Sequence, residues 1–263
     1  MNFLSGLDED LKTILVAQVR NLWTHTSTAI EGNSLTLSET AFVLEEGLTV
    51  SGKPLRDHQE IFGHARAIDL VYGLLSAKSI REEDLFSLHK AVLSESVMDI
   101  FKPVGKWKNQ PNYTNIIGVD GKQHIREYPA PLCIPLLMSQ WLQRLNDALS
   151  ADTLIYADLH LDFVTIHPFF DGNGRLARLI SNLPVLRSGL PPIIVPTEKK
   201  LEYLRIISDY QSTIPGLESL KDLDSLPKNE ERQRFADLCR DFHEPTLSLL
   251  KEARKIQEKR IIS

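Results

Sequence analysis

Cysteine is almost missing from this chain of 263 residues: Cys133 and Cys239 are the whole complement. The two form no metal-ligand spacing, and a reduced, cytoplasmic setting is the default expectation. A signal peptide or membrane span is absent from the start, because Met1 to Val19 carries Asp8, Glu9, Asp10 and Lys12. No membrane anchor is expected elsewhere. There is no basic block and no interleaving of basic with aromatic residues, which speaks against a nucleic-acid partner. Repeats and low-complexity segments are lacking too. So is a Walker A loop, and any nucleotide is therefore not held in the P-loop manner. What remains is a slightly acidic chain, with a formal net charge of −5. It is long enough for one large domain or two small ones around a sizeable core.

The densest chemistry lies in His167-Pro168-Phe169-Phe170-Asp171-Gly172-Asn173-Gly174-Arg175-Leu176-Ala177-Arg178. An apolar run ending in Thr165 and Ile166 leads in, and Leu176, Leu179, Ile180 and Leu183 follow at helical spacing, so the stretch reads as a loop entering a helix. Gly172 and Gly174 allow consecutive N–H groups to curl around an anion at a helix N-terminus, where the macrodipole also favours negative charge. Arg175 and Arg178 share a helix face, and the planar guanidinium suits phosphate oxygens. Asp171 is a hard oxygen ligand of the kind that holds Mg²⁺ beside phosphates. His167 is suited to take a proton. Taken singly, Asp-Gly and Asn-Gly are ordinary turn formers and an arginine pair is a solvated face. Turn chemistry gives no reason for all of them to converge. An EF-hand is excluded, because Arg175 and Leu176 stand where that loop needs an oxygen ligand and glycine. The stretch reads as a phosphoryl-transfer site.

At every specified position it resembles the Fic family motif, His-x-Phe-x-Asp/Glu-Gly-Asn-Gly-Arg-x-x-Arg. The resemblance implies a mainly α protein, a Fic-type helical bundle with one β-hairpin flap. It also implies transfer of AMP from ATP to a Ser, Thr or Tyr hydroxyl of a protein, which could be the chain itself. By the same resemblance His167 is the base and Asp171 the Mg²⁺ ligand. Gly172, Asn173, Gly174 and Arg175 surround the α- and β-phosphates, Arg178 pairs with the γ-phosphate, and Phe169 is a buried anchor. The family often forms dimers, which leaves a homodimer open.

Upstream, Leu11, Ile14, Leu15, Val19, Leu22 and Trp23 recur every three or four residues, an amphipathic helix from Asp8 towards Ile30. Gly32 and Asn33 are good helix-ending residues. Alone, Glu31 would read as an exposed acid at a helix end. Beside the motif, Ser27 through Gly32 resembles the family's inhibitory motif, Ser/Thr-x-x-x-Glu-Gly/Asn. That resemblance implies a salt bridge from Glu31 to Arg178, which would deny Arg178 to a γ-phosphate. A short helix capped at Thr36 or Ser38 follows, then helices from Leu55 to Leu75 and from Arg81 to Leu93. His64 and His89 on these helices read as packing or hydrogen-bonding residues.

Between Lys102 and Pro131 the helical period stops. Ile116, Ile117, Val119 and Ile125 flank Asp120-Gly121, a hairpin signal. In the family a hairpin here is the flap that adds a target peptide as a strand; it is assigned to roughly 105–128. Helices are expected from Pro131 to Leu149, Leu154 to Ile166, Glu198 to Gln211 and Arg234 to Ala253. Pro184 is expected to kink the motif helix after Asn182. Tyr203 and Gln211 share a face of the third of these. In related enzymes this helix lines the nucleoside pocket through a Tyr and an Asn, so Tyr203 matches and Gln211 departs. The organisation expected is 1–50 as N-terminal helices with the inhibitory motif, 51–250 as the Fic core with its catalytic loop and helix at 167–188, and 251–263 as a charged tail. The resemblance thus implies an adenylyltransferase autoinhibited by Glu31. Its rivals are removal of AMP by the same site, transfer of another nucleotide or phosphate, and a regulatory protein that senses nucleotide without turnover.

Overall fold

A computed structural model describes residues 2–94, 102–117, 123–148 and 153–262. Ten α-helices and one two-stranded sheet make up the regular structure among them: α1 (Glu9–Ile30), α2 (Leu37–Glu46), α3 (Leu55–Gly73), α4 (Glu82–Val92), β1 (Tyr113–Ile117), β2 (Gln123–Glu127), α5 (Ile134–Asp147), α6 (Thr153–Ile166), α7 (Asn173–Ile180), α8 (Leu183–Arg187), α9 (Lys200–Ser212) and α10 (Glu230–Ile262). The fold is the expected helical bundle with one antiparallel hairpin, in which Tyr113 pairs Glu127 and Ile117 pairs Gln123. The Asp120-Gly121 turn lies outside the described residues.

Helix α6 is the centre. From Tyr156 to Ile166 only Asp158 is exposed on it, so it is buried nearly all round, with the buried Asp162 paired to Arg144 and Arg232. α5, α7 and α10 pack around it, and α1 closes on α3 and α10. One continuous core joins Leu15, Val19 and Trp23 of α1 to Trp141, Phe163, Leu176, Ile180 and Phe235. The helix bearing Glu31 is thereby built into the same core as the motif helix.

Local chemistry sets the element ends. Thr36 caps α2 in a full capping box, its side chain accepting from Glu39 N and Glu39 accepting from Thr36 N. The motif helix breaks between α7 and α8, just before Pro184, and Asn182 braces the break. Its amide donates to Arg178 O and Ile193 O, and its oxygen accepts from Ile193 N. The final helix departs from expectation. The residues read as a charged tail from Lys251 to Arg260 continue α10 to Ile262. Gln257 Oε1 accepts from Asp8 N at 2.7 Å, and the Arg260 guanidinium pairs with Asp8 and Asp10, so the last turns are docked on the first residues of α1. No helix among the described residues is long and apolar enough to cross a membrane.

Candidate active site

Helix α6 ends at Ile166, and His167 follows with φ 51°, a left-handed conformation uncommon outside glycine. Its N–H closes the helix on Phe163 O at 2.9 Å. Pro168 has no N–H to give Val164 O, and that carbonyl instead faces His167 Nδ1 at 3.3 Å. A carbonyl only accepts, so Nδ1 carries the proton and Nε2 has a free lone pair. The ring stacks on Tyr128, centroids 3.9 Å apart and 14° between planes.

The loop that follows is held from within and from the flap side. Asn173, 2% exposed, spends its side chain on Phe169, accepting from its N–H and donating to its carbonyl, each at 2.9 Å. Phe169 is fully buried, stacked on His89 and tilted against Trp107. Lys108 N donates to Pro168 O and Asn112 Nδ2 to Phe169 O, both at 2.9 Å. His89 accepts from Gly105 N through Nδ1, so its Nε2–H donates to Asp171 O at 3.0 Å. His89 is a brace for the loop rather than core packing alone.

Gly172 is the N-cap of α7 with φ 77°, a conformation that glycine adopts without strain. It starts α7, whose first-turn N–H groups, those of Asn173, Gly174 and Arg175, have no helical acceptor, the first helical bond being Leu176 N to Gly172 O. Asp171 stands at its rim with a carboxylate 72% exposed, one oxygen accepting from Gly172 N. Among the described residues no cluster of three or more His, Cys, Asp or Glu could hold a metal. A single open carboxylate nonetheless fits Mg²⁺, which takes one or two protein carboxylates and fills its shell with phosphate oxygens and water. Arg175 is buried, donating to Val92 O at 3.4 Å with its guanidinium 3.9 Å from Asp171.

Arg178 is 3% exposed and fully engaged. Nη2 donates to Glu31 Oε1 at 2.5 Å and to Ser27 O at 2.9 Å, Nε to Ser27 Oγ at 3.0 Å, and Nη1 to the Tyr203 hydroxyl at 3.3 Å. Ser27 and Glu31 are one turn apart on the last turn of α1, where the macrodipole also favours a cation. A Schellman turn fixes Glu31: Gly32 takes φ 106°, Asn33 N donates to Thr28 O, and Gly32 N to Ala29 O. The acid reaches the first turn of α7, since a Cβ placed on Gly174 would lie 3.0 Å from Glu31 Oε1.

The electrostatics keep the His167 imidazole neutral. Burial, with the nearby Lys108 charge, brings His167 down to about 3. Burial likewise brings Lys108, 2% exposed with its ammonium on Asn112 Oδ1, down to about 7. Burial pushes the Glu31 carboxyl up, but the charge and hydrogen bond of Arg178 outweigh it and hold the acid below its ordinary range. Between pH 6.5 and about 3 the unfolded chain binds a proton at His167 that the folded chain refuses, so this residue withdraws stability as pH falls. The His167 ring resonances are accordingly expected not to titrate between pH 8 and 5 by NMR; a midpoint near 6.5 would contradict the neutral imidazole.

Of the residues expected from sequence, His167, Asp171, the glycines, Asn173, Arg175, Arg178 and Glu31 converge here. Tyr203 and Gln211 are both on the buried face of α9 but serve different neighbours. Tyr203 joins Arg178 to His160 Nε2, 2.8 Å from its hydroxyl, whereas Gln211 donates to Val164 O at 3.1 Å. Tyr128, Lys108, Asn112 and Arg126 were not foreseen. Each acts across more than 30 residues of sequence, and no local pattern marks it.

Residues 79–184 match the Fic/DOC family. The chain is 34% identical over 188 residues to the protein adenylyltransferase fic-1 of Caenorhabditis briggsae, a match covering 69% of this chain and 35% of that protein. It thus spans about a third of the length of such relatives. Its fold is similar to that of a Fic-domain-containing signalling protein from Bacteroides thetaiotaomicron, with TM-score 0.80, 24% identity and coverage of 96% and 93%. It is also similar to that of Fic-1 from Caenorhabditis elegans, with TM-score 0.70, 25% identity and coverage of 96% and 66%.

Proposed function

From the premise that this chain belongs to the Fic/DOC family, we propose that it transfers AMP from ATP to a hydroxyl of a protein and that Glu31 inhibits it. The observation that carries the reading is that an acid of the protein's own already holds the second arginine of the motif: Glu31 pairs with Arg178 beside Gly174. A site built to hold an anion, occupied by an internal one, is a regulated phosphate site.

In this reading the triphosphate lies on the N–H groups at the start of α7, with Arg175 beside it and Arg178 on the γ-phosphate once Glu31 yields. Asp171 would hold Mg²⁺, which when bound neutralises phosphate charge. The target hydroxyl gives its proton to His167 Nε2 as its oxygen bonds the α-phosphorus, and the bond to pyrophosphate breaks on the opposite side. Nδ1–H bonded to Val164 O and the Tyr128 stack fix the direction from which Nε2 acts, so positioning supplies much of the rate. The hairpin of β1 and β2 seats the target as an added strand. Tyr203 serves the nucleotide by holding Arg178. Cys133 and Cys239 are unpaired, in keeping with a cytoplasmic setting.

The test uses the Glu31→Gly protein with Mg²⁺ and either α- or γ-labelled ATP. Protein-bound label from the α position and none from the γ position is the expected result. Label from the γ position would make the chain a kinase-like enzyme, and ATP binding without label would make it a sensor; either overturns the proposal.

A further inference from the structure

The Val164 carbonyl is where the flap and the base meet. Pro168 leaves it without its helical donor, and it accepts from both His167 Nδ1, at 3.3 Å, and Gln211 Nε2, at 3.1 Å. The other end of the same amide, Gln211 Oε1, accepts from Arg126 Nη1 at 3.0 Å. A guanidinium only donates and a carbonyl only accepts, so the Gln211 amide has one orientation here. Arg126 belongs to β2 and grips α9 further, donating to Ser208 Oγ at 3.2 Å, Ser208 O at 2.8 Å and Ser212 Oγ at 2.5 Å. Arg126 and Gln211 are both buried. Two residues on, and so on the same side of the strand, Tyr128 stacks on the His167 ring. One side of this strand therefore reaches the base twice, at the ring face through Tyr128 and at Nδ1 through Arg126, Gln211 and Val164.

We propose that Arg126 and Gln211 are positioning residues for His167: together they hold the Val164 carbonyl where it accepts the hydrogen bond from Nδ1–H, and they tie the orientation of the base to the seating of the hairpin on α9. This rests on the reading of His167 as the base. It also gives the glutamine a reason. Asparagine is one methylene shorter and cannot bridge Arg126 and Val164 at these distances. With both ends of its amide engaged, Gln211 serves the histidine and not the nucleoside.

The experiment places Gln211→Glu and Arg126→Ala separately in the Glu31→Gly protein. Gln211→Glu keeps the length and the pairing with Arg126 but has no hydrogen to give Val164; Arg126→Ala frees the amide. Two readouts are taken, the ¹⁵N shifts of the His167 ring, which report which nitrogen is protonated, and kcat and KM for Mg·ATP. The parent should show His167 protonated at Nδ1. Both variants should show a mixture of the two forms and a kcat lower by roughly 10- to 100-fold, with KM for Mg·ATP within about twofold of the parent. Arg126→Lys, which keeps the charge but loses the fork, should recover only part of the rate. An unchanged His167 spectrum in both variants overturns the proposal. So does a loss confined to KM, which would mark Gln211 as a nucleoside contact. The spectrum needs no turnover, so a parent without transfer activity sinks the base reading while the positioning is still read. Should Gln211→Glu not fold, Gln211→Met, of similar length without the amide, takes its place.

Discussion

Replacing Glu31 by glycine is expected to raise AMP transfer by roughly 10- to 100-fold, the range of a regulatory contact of about 1.4–3 kcal/mol. A fully buried ion pair can be worth about 3–5 kcal/mol when one partner is removed. The Glu31 side chain is 39% exposed, and solvent screening lowers the figure here. The substitution is clean because Arg178 is not stranded: Ser27 Oγ, Ser27 O and the Tyr203 hydroxyl still accept from it. Nor is the backbone strained, since position 31 is right-handed at φ −84°, ψ −4°, at the end of α1. What changes is that Arg178 no longer carries a carboxylate on Nη2. Initial rates at saturating Mg·ATP, compared with wild type at matched thermal stability, give the measurement. Equal rates would remove the brake from the account. Acid should mimic the substitution only weakly, because Arg178 holds the Glu31 carboxyl below its ordinary range and the clamp is lost only as pH falls through that lowered value.

The second large effect is at His167. Alanine there should reduce transfer by roughly 10²- to 10⁴-fold, the usual yield of a positioned general base, and leave Mg·ATP affinity within about threefold of the parent. The separation of rate from affinity follows from the geometry. The nest is built by Gly172 and the first turn of α7 and is braced by Asn173 and His89, none of which depends on the imidazole. His167 makes its side-chain contacts with Val164 O and Tyr128 on the other side of the loop. Removing a residue held at φ 51° also relieves a strained conformation only if the loop relaxes, so the melting temperature should be measured alongside. Equilibrium ATP binding with the alanine variant, set against its transfer rate, checks the prediction. A parallel loss of both would mean that His167 holds the loop and is not the base.

What could be read from sequence follows the range of the interactions. His167 to Arg178 is a local unit: its glycines, its arginine pair and its histidine lie on one loop and one turn, so their types and spacing already state the chemistry. Glu31 is 147 residues from Arg178, and only a resemblance could link them. The hairpin was legible as a break in helical period, but its inward side was not. Alternation does not tell that Arg126 and Tyr128 face α9 and His167, because those partners are 85 and 39 residues away in Gln211 and His167. At the C-terminus the apolar period fades after Ala253, and the helix continues because Gln257 and Arg260 meet Asp8 and Asp10, polar contacts that leave no hydrophobic signature. Gln211 is the instructive residue. As a substitution within a resemblance it weakened the case for a nucleoside contact; in three dimensions it belongs to a different neighbour.

The central claim is that one guanidinium serves either Glu31 or a triphosphate. A structure of the Glu31→Gly protein with Mg²⁺ and a non-hydrolysable ATP analogue tests it most directly. The account predicts Arg178 within hydrogen-bond reach of the γ-phosphate, about 2.7–3.2 Å, with the α-phosphate on the first N–H groups of α7 and in front of His167 Nε2. An Arg178 still turned wholly to Ser27 and Tyr203, with the phosphates bound elsewhere, would contradict it.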